Sequence, residues 1–152
     1  MRNDTLTPVS WRARPGSFVA LMSLYESNYI RLGWLTGPPG ALCGTSRSRV
    51  AGDPDLLLRV VERSVYTSIL ELTYELLDDR EPMRYPQLQL RVYHDARVVE
   101  AERCAATAAS AGRAPQRCTE RELRQRWVRN MMLNKWLEYC AERGHRFVPP
   151  AR

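Results

Sequence analysis

The chain has one lysine (Lys135), two histidines and two phenylalanines in 152 residues, and no long apolar run. A helix crossing a bilayer takes ~20 consecutive apolar residues, so no membrane association is expected. Residues 1–16 hold Asp4, Pro8 and three arginines but no apolar core segment, which speaks against a secretory signal and for a cytoplasmic protein. The four cysteines (Cys43, Cys104, Cys118, Cys140) form no Cys-x-x-Cys pair and have no histidine at ligand spacing. Preorganised zinc sites use such close pairs, so free thiols and no metal or other cofactor are expected. The Gly37–Gly44 stretch has the glycines of a phosphate-cradling loop but neither its lysine nor its strand-to-helix setting. No serine or cysteine sits in a nucleophile motif, and His145 lies at a helix end.

What is abundant is arginine. It supplies 22 of the 23 basic residues and gives a net charge of +6. The arginines are spread along the chain with acids nearby (Glu62, Glu71, Asp95, Glu100, Glu120, Glu138). A scattered excess implies weak polyanion association rather than a surface that reads nucleic acid.

The length is that of one domain. Residues 1–16 read as a flexible tail and 17–148 as the folded unit. Ser17 is placed to cap a first helix in which Phe18, Leu21, Met22, Tyr25, Tyr29 and Leu32 recur on one face. Gly33 and then Gly37-Pro38-Pro39-Gly40 should end it. Thr36–Asp55 reads as a loop, with a short strand conceivable around Arg49–Ala51. Leu56–Glu62, Val65–Leu77, Leu88–Tyr93 and Arg97–Arg103 read as strands, with Asp78–Pro86 a turn. If Asp95-Ala96 closes the last hairpin, Tyr93 faces Val98, Val92 faces Val99, and Arg91 faces Glu100 as an opposite-charge pair. Cys104–Thr119 is rich in small residues and reads as a loop that leaves a fifth strand open. Thr119 and Glu122 form a capping box for a last helix ending at Gly144, with Val128, Met132, Leu133, Trp136, Leu137, Tyr139 and Cys140 as its core arc. The expected fold is α+β: an antiparallel four- to five-stranded meander with the N- and C-terminal helices packed on one face.

Three collinear pieces carry a family resemblance: Leu24-Tyr25-Glu26-Ser27-Asn28-Tyr29, Leu90-Arg91-Val92-Tyr93-His94-Asp95-Ala96, and Asn130 to Cys140 with Trp136-Leu137 at its centre. With Glu62 and Tyr66-Thr67 between them, the chain resembles the YqiB-like family, small bacterial cytosolic proteins classed as a domain of unknown function. Members carry a further strand and a Tyr-Pro-Asn segment where this chain has its alanine-rich stretch. The resemblance implies a shared fold and location, and supplies neither a reaction nor a ligand.

His94 and Asp95 are the residues with which acid–base chemistry would be built, because histidine titrates near neutral pH. Neighbours on a strand point to opposite faces, so a plain hairpin corner is the simpler reading. Glu26, Asn28 and Asn130 are candidates for ligand contact or for hydrogen bonds to a sheet edge. Tyr66, Arg91, Tyr93 and Glu100 are candidates on the sheet, and Trp127 and Met131 for edge-of-core packing or a partner patch. The leading expectation is a non-enzymatic interaction module with an unknown protein partner or a second copy as a homodimer. The alternatives are an anion or nucleic-acid binder using Arg59, Arg91 and Arg97, and a small hydrolase centred on His94.

Overall fold

A computed structural model describes residues 17–77, 81–104 and 120–147. The expected N-terminal tail, the alanine-rich stretch and the Thr119 cap lie outside these residues. The architecture is α+β: five antiparallel strands in the order β1-β2-β3-β4-β5 between an N-terminal and a C-terminal helix.

Helix α1 spans Phe18–Thr36, and the Ser17 hydroxyl accepts from the Ala20 amide at 3.2 Å. It runs through Gly33 and stops at Gly37, whose φ of 67° and bond back to the Gly33 carbonyl form the cap. β1 (Thr45–Ser48) lies inside the expected loop, short of Arg49–Ala51. Thr-Ser-Arg-Ser has no apolar alternation, and its pairing with β2 (Asp55–Arg63) makes it a strand. β3 is Thr67–Leu77 and β4 is Pro82–Tyr93. β4 starts well before the expected Leu88, because among the described residues no outer neighbour needs the amides of Pro82 and Pro86: β5 (Val98–Cys104) reaches only as far as Leu88.

The register of the last hairpin is the expected one, with Tyr93 opposite Val98 and Arg91 opposite Glu100. The ion pair is not. The Arg91 guanidinium bonds Glu102, the next residue along the same face, while Glu100 accepts from the Tyr93 hydroxyl at 3.0 Å.

One sheet face is apolar. Leu56, Leu58, Leu70, Leu72, Leu88, Leu90, Val92, Val99 and Ala101 meet Leu32 and Leu35 of α1 and Leu133, Leu137 and Cys140 of α2 (Glu120–Arg143). Each buried aliphatic side chain there contributes ~1.5–3 kcal/mol of transfer free energy. Gly144, at φ 96°, ends α2 as expected.

The two helices run in the same direction. Leu21, Leu24 and Tyr25 share a cluster with Leu123, Trp127 and Met131, Ser27 meets Asn134, and Arg31 meets Glu138. The buried arc of α2 differs from the expected one: Val128, Met132 and Tyr139 are exposed, whereas Trp127 and Met131 pack inward. Asn130 and Asn134 occupy the middle of the buried face, so an arc counted from apolar residues alone comes out rotated. Phe18 is likewise exposed. No described helix is long and apolar enough to cross a membrane.

Candidate functional site around the fifth strand

β5 would present an open edge, and unpaired strand edges invite foreign pairing. Carboxamides from both helices close it. Asn28 donates to the Val99 carbonyl at 3.2 Å, and the Ala101 amide donates to Asn130 at 2.7 Å. Asn130 also donates to the Arg126 carbonyl, and Asn28 donates to Asn130 Oδ1 at 3.2 Å. Asn134 completes the set, donating to Asn28 Oδ1 at 3.1 Å and to Ser27 Oγ. All three asparagines are buried and bonded, as interior polar groups must be. Asn28 and Asn130 thus hold backbone at a sheet edge.

On the open sheet face, Glu100 sits beside two phenols. Tyr93 bonds it, and the Tyr25 side chain is buried nearby. Burial, and then the Glu100 charge, pushes Tyr25 up to about 12, with Arg126 acting in the opposite direction. Tyr93 is raised for the same two leading reasons. Both phenols therefore stay protonated. Glu102 next door takes Gln89 at 2.9 Å and Arg91, and the Glu102 carbonyl takes Arg129. Arg91, Tyr93 and Glu100 are thus together, with Asn28, Asn130, Trp127 and Met131 on the helical side of β5. This group offers donors and acceptors, not a nucleophile and its base.

His94 and Asp95 follow Tyr93 directly, in the turn between β4 and β5, with Tyr66 beside them just before β3. His94 Nε2 is 2.8 Å from Ser68 Oγ, and its backbone amide donates to the Tyr66 carbonyl. Asp95 is exposed on the turn, which Arg97 closes at φ 57°. Positive φ outside glycine is uncommon, and here it completes a turn in which the Arg97 amide reaches the Tyr93 carbonyl. The structure pairs His94 with a serine from β3 and leaves Asp95 outside that contact. Tyr66 and, on α1, Glu26 are exposed. The arginines of the open face are engaged: Arg59 with Glu71 at 3.1 Å, Arg91 with Glu102, and Arg47 with Asp55 and Glu75 at 2.8 and 2.9 Å.

One cluster had no sequence signal. His145 is buried, with Nδ1 3.0 Å from Ser48 Oγ and Nε2 2.6 Å from Asp53 Oδ2. Asp53 also accepts from Tyr74 at 3.0 Å and Tyr139 at 3.4 Å, with Arg143 at 3.8 Å. Tyr74 lies 3.3 Å from Cys140 Sγ; burial, and then Cys140, raises its phenol. The residue types match a hydrolytic triad, but Ser48 Oγ is buried and accepts the Arg146 amide at 2.9 Å. The cluster ties α2's end to the β1–β2 loop. Its members are far apart in sequence, so spacing does not mark them. Among the described residues, no three His, Cys, Asp or Glu side chains converge as a metal site.

No curated protein matches the chain, and no solved structure does. Residues 31–146 match the family described as "Protein of unknown function (DUF1249)". That span is most of the chain, which therefore belongs to this family of unknown function.

Proposed function

We propose that the protein is a cytoplasmic, non-enzymatic interaction module of the YqiB-like kind, acting through the outer surface of its helix layer. The observation that carries this reading is where exposed apolar side chains lie. Val19, Ile30 and Trp34 of α1 and Val128 and Met132 of α2 are exposed, as is Tyr139, whose hydroxyl bonds Asp53; a second exposed set (Val61, Val65, Tyr66, Met83, Tyr85) lies on the strands and their turns. Exposed apolar side chains gathered on one face mark contact surfaces. The polar candidates support the same reading: Asn28, Asn130, Tyr93 and His94 each spend hydrogen bonds on the fold itself.

The test is capture of partners by the tagged full chain in its native host, compared with Met132→Glu. Loss of a specific partner by the folded variant supports the module. Identical capture by both proteins, or turnover of a small molecule that His94→Ala abolishes, refutes it.

A further inference from the structure

The stretch between the core residues Leu42 and Leu56 is held by polar contacts. Residues 43–55, which include β1 and the β1–β2 loop, add no side chain to the apolar clusters of the described residues. Apolar burial is the dominant favourable contribution to folding, whereas each hydrogen bond adds modestly. Segments with few buried apolar contacts open at a lower free energy than the core around them. β2 differs in kind, because Leu56, Leu57 and Leu58 are all buried. Its outer edge is covered by β1, four polar residues paired from Thr45 opposite Arg59 to Ser48 opposite Leu56. A very short polar strand is one way to blunt a sheet edge.

What holds this stretch down comes from the far end of the chain. Ser48 Oγ accepts from the Arg146 amide at 2.9 Å and meets His145 Nδ1 at 3.0 Å. His145 Nε2 meets Asp53 Oδ2 at 2.6 Å, and the same carboxylate accepts from Tyr74 of β3 and Tyr139 of α2. Arg143 donates to the Gly52 carbonyl at 3.2 Å. The ion pairs of Arg47 with Asp55 and Glu75 are exposed and contribute little. Residues 145–147 are anchored independently of the stretch, because the Phe147 side chain lies in the core and its amide bonds the Leu35 carbonyl at 2.7 Å. One side of the contact is thus fixed by apolar burial and the other is not.

We propose that residues 43–55 form a detachable guard over the β2 edge, fastened by His145 and Arg146 and able to lift while the rest of the fold stays intact. Lifting leaves β2 as the outer strand, with its leucine-rich edge unpaired. This device is independent of what the helix layer binds.

Native-state hydrogen exchange of the full chain, resolved amide by amide by NMR in sub-denaturing urea, tests it. Arg146 and Val60 are the reporters: both lie outside the stretch, and their amides bond acceptors inside it, Ser48 Oγ and the Gly44 carbonyl. Phe147 is the control, because its acceptor lies outside. The Arg146 and Val60 amides should share one opening free energy and be about 10-fold or more less protected than Phe147 and the amides of β3. Asp53→Ala should speed both reporters alike, on the order of 10- to 100-fold, because buried donors lose their acceptor, and should leave Phe147 unchanged. Arg146 exchanging together with Phe147 overturns the proposal, since the C-terminal segment is then the part that lets go. Protection of the reporters equal to that of β3, or different opening free energies for the two, overturns it as well. So does a folded Asp53→Ala chain whose reporters exchange at wild-type rates. If that variant does not fold, the wild-type grouping decides.

Discussion

Cys140 has no exposed surface, and burial pushes its thiol from 9.0 up to about 11. A group whose folded value is raised gives full stability below its unfolded value and loses it as pH climbs through the folded one. Stability should therefore fall from about pH 9 by at most ~3 kcal/mol for this thiol, before Tyr25 adds its own loss higher up. Urea midpoints against pH should show that early fall in wild type and not in Cys140→Ala. In the native state at pH 8, iodoacetamide should modify exposed Cys43 and spare Cys140, read by peptide mass spectrometry. Asn130→Ala leaves the Ala101 amide buried without its acceptor, and should cost roughly 1–3 kcal/mol in denaturant melts. The role of Asn28 and Asn130 as bonds to a sheet edge was readable, because both stand beside apolar stripes. His145 was not: nothing local says that Ser48 and Asp53 will meet it from the opposite end of the chain.

Elements were legible where alternation or capping chemistry is strong. Ser17 and Gly144 announce themselves, and their substitution measures what they contribute. Ser17→Ala should cost ~1 kcal/mol through the lost Ala20 bond. Gly144→Ala should cost about 1–2 kcal/mol, because φ 96° crowds a Cβ. β1 was illegible, since four polar residues become a strand only through what β2 offers them. The early part of β4, which pairs with β3, is hidden by its prolines, which sheet interiors reject and edge positions tolerate. The buried arc of α2 is rotated from the apolar one because an asparagine bonded to an edge strand is as buried as a leucine.

At the scale of the whole molecule, α+β with both helices on one face follows from alternating strands between two amphipathic segments. The shared direction of the helices does not follow, since only the lateral pairs Ser27–Asn134 and Arg31–Glu138 reveal it. The layered core makes a sharp contrast measurable. Leu133→Ala, between α2 and the sheet, should cost about 2–5 kcal/mol, whereas Ile30→Glu on the outer surface should stay within ~0.5 kcal/mol of wild type. Phe147 is buried in that same core, and its amide bonds the Leu35 carbonyl where α1 ends. The first helix thus receives its Phe147 neighbour only when residue 147 has cleared the ribosome, so a nascent chain halted anywhere earlier carries an unlatched seam for proteases to find.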